Sequence, residues 1–263
     1  MTDTRAENWL VGLLPRIVDL AKEAGNAILN VYAQTNLAVQ YKQDNSPLTQ
    51  ADLKSHRVIV DGLSRLSHAW PILSEESEEV PFDLRASWDR FWLVDPLDGT
   101  KEFLRRTGEF TVNIALVECG TPILGVVYAP VVDRMYFAAR DAGAFKTHGG
   151  LISRIETTRP AKTILRTVIS HSDRSQRASL DQFVKDGGQC EFIAMGSSLK
   201  FCLIAEGAAD VYPRTGPTME WDTAAAHCIL VEAGGAITDL DGNSMRYNKP
   251  VLLNPGFVAR GAV

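Results

Sequence analysis

Leu13, Ile17, Leu20, Ala24, Ile28 and Val31 recur at spacings of three and four, so one apolar stripe runs along a long first helix. The polar, proline-punctuated stretch Tyr41-Lys42-Gln43-Asp44-Asn45-Ser46-Pro47 reads as a loop. Thr49-Gln50-Ala51-Asp52 fits the capping-box pattern and starts a second helix that runs to about Leu66. Pro71-Ile72-Leu73 reads as a short strand that delivers Glu75. From Phe91 to Phe145 the pattern is one of strands. Phe91 to Val94, Thr111 to Glu118, Ile123 to Tyr128 and Met135 to Ala139 are rich in β-branched and aromatic residues, with turn residues between them.

After Gly149-Gly150 the rhythm changes. Leu165 to Ser170, Glu191 to Ala194, Asp210 to Pro213 and Ala236 to Asp239 read as strands. They alternate with helices over Gln176 to Lys185, Ser198 to Glu206 and Thr223 to Ala233. The first half predicts helices on a mostly antiparallel sheet, the second a layered α/β arrangement. Two packed subdomains are expected, 1–150 (α+β) and 151–263 (α/β), with an acidic cluster in the cleft between them.

That cluster draws on distant segments. Asp95-Pro96-Leu97-Asp98-Gly99-Thr100 follows the apolar run Phe91-Trp92-Leu93-Val94, Ser74-Glu75-Glu76-Ser77 precedes it, and Glu220-Trp221-Asp222-Thr223 precedes a helical run from Ala224. Each segment sets acids at the end of an apolar element. Carboxylates brought to one point repel, at roughly 4 kcal/mol per pair for ~4 Å and an effective dielectric of ~20. Some must stay protonated, or cations must sit between them. Oxygen ligands without His or Cys favour Mg²⁺, Mn²⁺ or Ca²⁺ over zinc. Asp-Pro and Asp-Gly are also common turn dipeptides, Asp222 and Asp52 suit helix N-termini, and Glu75 and Glu76 suit a solvated loop. The combination favours chemistry: Gly99 lets a phosphate approach the backbone, and successive amides there form an anion nest.

A chain of 263 residues has ample length for a core. Its 45% hydrophobic and 22% charged content is ordinary for a globular protein. A net charge of −5 with no basic patch argues against a nucleic-acid polymer as partner. Cys119, Cys190, Cys202 and Cys228 are scattered, without a C-x-x-C pair, and read as reduced, buried thiols of a cytosolic protein. The N-terminus lacks a signal-peptide pattern, and no run approaches the ~18 apolar residues of a membrane span. Lys42, Lys101, Arg174, Lys200 and Arg214 are compatible with plain surface charge. His56, His68, His148, His171 and His227 show no metal-ligand spacing.

Asp95-Pro96-Leu97-Asp98-Gly99-Thr100 and Trp221-Asp222-Thr223-Ala224-Ala225, with Glu232-Ala233-Gly234-Gly235, resemble the two signatures of the inositol monophosphatase superfamily, magnesium-dependent and lithium-sensitive phosphomonoesterases. The resemblance spans Lys42 to Gly235. Lys101-Glu102-Phe103-Leu104, Gly196-Ser197-Ser198-Leu199-Lys200-Phe201-Cys202, Tyr212-Pro213-Arg214 and Leu253-Asn254-Pro255-Gly256-Phe257 are similar to its bacterial 3′(2′),5′-bisphosphate nucleotidase branch. The resemblance implies a layered α-β-α-β-α sandwich and hydrolysis of the 3′-phosphate of adenosine 3′,5′-bisphosphate, with 3′-phosphoadenylyl sulfate as a further substrate. It implies that Glu75, Asp95 and the Leu97 carbonyl hold one Mg²⁺ and that Asp95, Asp98 and Asp222 hold a second. Asp52, paired with Thr100, would orient and deprotonate water, around a weaker third ion. Mn²⁺ would substitute, and Li⁺ and Ca²⁺ would inhibit. Gly99 and Thr100 amides would hold the scissile phosphate, and Ser198, Lys200 or Arg214 the rest of the nucleotide. A monomer or homodimer is expected, in the cytoplasm or peripheral on the cytoplasmic face of the inner membrane. Alternatives are an inositol or sugar phosphatase of the same fold, or a non-catalytic metal-dependent nucleotide sensor, against which Asp52 and Thr100 speak. Ala225 departs from the Ala-Gly common in relatives, and a packing adjustment behind Asp222 is expected.

Overall fold

A computed structural model describes residues 8–35, 39–41, 47–159, 164–171 and 189–262. The apolar stripe of the first helix is realised in α1 (Asn8–Tyr32), which packs with α2 (Gln50–Ser64) on one face of a seven-stranded sheet. That sheet runs in the order β3 (Ile72–Ser74), β4 (Arg90–Asp98), β5 (Thr111–Glu118), β6 (Thr121–Ala129), β7 (Arg134–Ala139), β8 (Gly143–His148), β9 (Leu151–Ile155). Only β3 and β4 pair in parallel; every later pair is antiparallel. Side chains alternate across it as a pleated strand requires. Trp92 and Val94 enter the core under α1 and α2, while Phe91 and Leu93 enter a second core on the opposite face.

The second core is closed by α5 (Leu199–Ala205) and α6 (Glu220–Glu232), beyond which lies a five-stranded sheet. Its order is β11 (Gln189–Ala194), β10 (Ile164–Ile169), β12 (Val211–Arg214), β14 (Phe257–Arg260), β13 (Ala236–Asp239). The described layers are therefore helix, sheet, helix, sheet; the helix expected over Gln176 to Lys185 lies outside the described residues. Helix α6 is buried on most of its circumference, as a helix wedged between two sheets must be. Its alanines let β6 come close. A Cβ on Gly125 would lie 2.2 Å from the Ala225 carbonyl oxygen, so the strand needs a residue without a side chain to face the backbone of α6.

Five expectations change. Cys202 and Cys228 are buried as expected, but Cys119, at the turn between β5 and β6, is exposed and Cys190 is half-buried at the edge strand β11. Gly149 and Gly150 do not end the first sheet: both have positive φ, turn the chain tightly, and join β8 to β9. The passage to the second sheet comes after Ile155. Tyr41 and Pro47, expected within a loop, belong instead to a short antiparallel pair, β1 (Val39–Tyr41) with β2 (Pro47–Thr49), and residues 42–46 lie outside the described ones. Strand β4 does not stop at Val94 but continues through a bulge to Asp98. Helix α6 begins at Glu220, so Asp222 lies inside its first turn rather than ahead of it. Among the described residues no helix is long and apolar enough to cross a membrane.

Candidate active site

The bulge in β4 is the centre of the site. Register with β5 shifts between Asp95 and Asp98, and Pro96, which cannot donate to a ladder, sits within the irregularity. The Pro96 carbonyl accepts from Ser55 Oγ of α2 at 2.6 Å, and Asp95 Oδ1 accepts from the Leu97 amide at 3.0 Å. These bonds hold a kinked strand end where an ordinary one would continue.

Carboxylate oxygens of Glu75, Asp95 and Asp222 lie within 4.8 Å of one another. Glu75 is placed by β3, its amide donating to the Val94 carbonyl at 3.1 Å. Asp222 occupies the third position of α6, where Oδ2 accepts the Met219 amide at 2.8 Å. The start of α6 is itself anchored. The buried Glu220 carboxylate accepts from the amides of Asn248 and Lys249 and from Lys249 Nζ, and Asn254 Nδ2 donates to the Met219 carbonyl at 2.8 Å. Burial, then the charges of Glu75, Asp98 and Asp222, push the Asp95 carboxyl far above the ordinary carboxylate range. Burial and then Asp98 push Asp222 the same way. Three acids in one apolar surround cannot all ionise unaided, and an all-oxygen donor set of this compactness fits a hard divalent cation.

Asp98 stands apart from that triad. Its Oδ2 receives Ser197 Oγ at 2.6 Å, the Ser198 amide at 2.7 Å and Asn113 Nδ2 at 3.4 Å, and Ser198 Oγ lies 2.8 Å away. Ser198, expected among substrate contacts, is buried between this carboxylate and the Asp222 carbonyl, 2.7 Å from Oγ. Asp52 closes the capping box of α2: Oδ2 accepts the Thr49 amide and hydroxyl, at 2.8 and 2.6 Å. Its other oxygen accepts Thr100 Oγ1 at 3.2 Å, so the expected Asp52–Thr100 pair is formed. Gly99 takes φ +94°, a left-handed conformation that glycine adopts freely, and a Cβ there would crowd the Glu109 carbonyl at 3.2 Å.

Beside Asp98 and Asp222 opens a cavity of about 200 Å³, walled by Lys101, Lys200, Arg214, His171 and Tyr212 among others. Lys200 is buried, with Nζ 2.6 Å from the Ser197 carbonyl and 5.4 Å from the Tyr212 ring centre; burial lowers its pKa. Arg214 donates to Ser170 Oγ at 3.0 Å. Lys42 and Arg174 lie outside the described residues. Residue patterns missed Glu109, Thr111 and Asn113. Glu109 accepts from His171 Nε2 at 2.6 Å and from the Gly196 amide at 2.7 Å, and Thr111 Oγ1 bridges Asn113 and Ser197. The bonds to His171, Gly196 and Ser197 join residues 62 to 87 positions apart, beyond any local motif.

The profile of the inositol monophosphatase family matches residues 12–261. CysQ of Escherichia coli (strain K12), a 3′(2′),5′-bisphosphate nucleotidase, is 47% identical over 247 residues, covering 93% of this chain and 98% of that protein. The protein of the same name from Buchnera aphidicola is 43% identical over 94% of this chain and 93% of its own length. Among solved structures, CysQ from Bacteroides thetaiotaomicron, a bacterial member of the inositol monophosphatase family, superposes with a TM-score of 0.82 at 42% identity, covering 94% and 96% of the two chains. The suhB protein of Bartonella henselae gives 0.76 at 27% identity over 94% and 93%.

Proposed function

The chain belongs to the inositol monophosphatase family, and from that membership we propose that it is a divalent-metal-dependent phosphomonoesterase that hydrolyses the 3′-phosphate of adenosine 3′,5′-bisphosphate to AMP and phosphate, with 3′-phosphoadenylyl sulfate as a second substrate. One observation carries the proposal: the compact Glu75–Asp95–Asp222 triad opens beside a cavity whose wall includes Lys101, Lys200, Arg214 and His171. Acids gather cations at the ester, and basic side chains receive the remote anionic groups.

Glu75, Asp95 and the Leu97 carbonyl would hold one Mg²⁺. Asp95, Asp222 and Asp98 would hold a second, Asp98 offering the oxygen that the serines do not occupy. When bound, such ions supply positive charge that acidifies water and neutralises phosphoryl oxygens. The chain supplies the rest. The Gly99 and Thr100 amides receive the scissile phosphate. Thr100 Oγ1, donating to Asp52 Oδ1, keeps lone pairs for a water proton. As that proton arrives, the hydroxyl passes its own to Asp52, the general base. Lys200 and Arg214 receive the 5′-phosphate. The protein works as monomer or homodimer in the cytoplasm.

The test compares kcat/KM for adenosine 3′,5′-bisphosphate and inositol 1-phosphate in Mg²⁺, then in Mg²⁺ with Li⁺. Preference for the bisphosphate, loss of phosphate release without Mg²⁺ and inhibition by Li⁺ are expected. Preference for the inositol ester overturns the substrate, and release without Mg²⁺ overturns the metal role.

A further inference from the structure

Glu109 lies outside both signature segments, in the turn that leads from α4 (Thr100–Leu104) into β5, yet three parts of the site converge on it. Its Oε2 is 2.6 Å from His171 Nε2, and the same oxygen accepts the Gly196 amide at 2.7 Å. Its backbone carbonyl faces Gly99 and Gly196, where an added Cβ would come within 3.2 and 2.7 Å of it. His171 and Gly196 follow strands of the five-stranded sheet, whereas Glu109 and Gly99 flank the seven-stranded one. The contact therefore joins the two sheets through His171 and Gly196, which line the cavity.

We infer that Glu109 is a positioning residue for this cavity: its carboxylate fixes the ring of His171 with the Nε2 proton turned toward Glu109, and so presents the other ring nitrogen, Nδ1, to the nucleotide. The chemistry dictates the assignment. An ionised carboxylate only accepts, so the ring nitrogen 2.6 Å away must be the one that carries a proton. A carboxylate on one imidazole nitrogen sets the role of the other. The shared oxygen also ties the ring to Gly196, and the next two residues, Ser197 and Ser198, hold Asp98. The carboxylate thus aligns the imidazole with the same loop that aligns a metal-binding acid. Neither Glu109 nor His171 belongs to the Glu75–Asp95–Asp222 triad, which assigns the pair to recognition of the nucleotide rather than to bond cleavage. This inference rests on the nucleotidase reading above.

The experiment is a double-mutant cycle of Glu109→Gln and His171→Ala, run on adenosine 3′,5′-bisphosphate and on para-nitrophenyl phosphate in Mg²⁺. Glutamine keeps an acceptor for Gly196 and loses the charge beside the ring. Glu109→Gln is expected to raise KM for the bisphosphate about tenfold while kcat stays within about threefold. In the His171→Ala background the same change is expected to move KM less than about twofold. An equal rise in that background, an equal loss on para-nitrophenyl phosphate, or an unmoved KM each overturns the inference. Wild-type enzyme that turns over para-nitrophenyl phosphate but not the bisphosphate overturns the nucleotidase reading instead. Nitrogen-15 spectra of the wild-type imidazole test the tautomer without any variant: a protonated Nε2 is expected, and a bare Nε2 overturns the assignment.

Discussion

The amide of Ser198 donates to Asp98 Oδ2 at 2.7 Å, and the Ser198 hydroxyl lies 2.8 Å from the same oxygen. The hydroxyl is also 2.7 Å from the carbonyl of Asp222, so one serine from the head of α5 spans two acids of the site. Ser198→Ala keeps the amide bond and removes the hydroxyl. We expect weaker Mg²⁺ binding and a fall in kcat/KM of roughly tenfold, the scale of one charge-assisted hydrogen bond. Calorimetric titration with Mg²⁺ and phosphate-release assays measure both, and unchanged values would remove Ser198 from the support of the site.

Asp95→Asn separates function from stability. Loss of Mg²⁺ affinity and a fall in turnover of at least about a thousandfold are expected. The metal-free variant should melt higher than metal-free wild type, because it lacks a carboxylate pressed among Glu75, Asp98 and Asp222. The sign with pH follows. Asp95 binds its proton more tightly folded than unfolded, so its favourable contribution is complete below the unfolded value of 3.8 and fades as pH rises. The melting advantage of the variant should therefore grow from pH 5 to pH 8 and vanish in saturating Mg²⁺. An advantage that is absent, or that shrinks with pH, contradicts the crowding of the acids.

His227 gives the opposite slope. It is buried on α6 with Nδ1 2.9 Å from the Tyr247 hydroxyl, and burial lowers its pKa from 6.5 to about 4. The unfolded chain takes up this proton first, so stability is lost as pH falls from 6.5 toward 4, by on the order of 3 kcal/mol. His227→Gln, which can still bond Tyr247, should remove that part of the acid sensitivity. Denaturant titrations of both proteins at pH 7 and pH 4.5 check it. Identical pH dependence in the two would show that another group carries the effect.

Gly125→Ala tests the packing behind Asp222. The added methyl would meet the Ala225 carbonyl at 2.2 Å, a backbone atom of a helix held on both sides. A loss of about 1–3 kcal/mol or more is expected, with weaker Mg²⁺ binding because α6 must move and carries Asp222. Full stability with full Mg²⁺ affinity would mean that β6 yields instead.

Much of this was readable from residues alone, for identifiable reasons. The stripe from Leu13 to Val31, the capping box at Thr49 and the β-rich run from Thr111 to Ala139 are local patterns with local causes, and each forms the expected element. The acids were legible because Asp95 and Asp222 sit next to long apolar segments, and the structure brings them to Glu75. The extension of β4 through a bulge was not, because Asp-Pro and Asp-Gly read locally as a turn while pairing with β5 overrides that preference. Strand β9 was hidden for another reason: Leu151, Ile152 and Ile155 are apolar but do not alternate with polar residues, and only Ile155 is buried, so the run lacks the period-two pattern of a half-buried strand. Glu109, with partners at His171 and Gly196, depends wholly on tertiary placement.

Asp52 and Asp222 share one further trait: each is the third residue of a helix and accepts the amide of the residue just ahead of that helix, Thr49 in one case and Met219 in the other. The side chains that mark where each helix begins are thus also those to which the proposed reaction assigns a role. A change at either position would blur two ledgers at once, misplacing a starting point for coiling and disabling turnover together. Inactivity of such a variant becomes informative only after it is scaled to the fraction of molecules that have kept both helices in register.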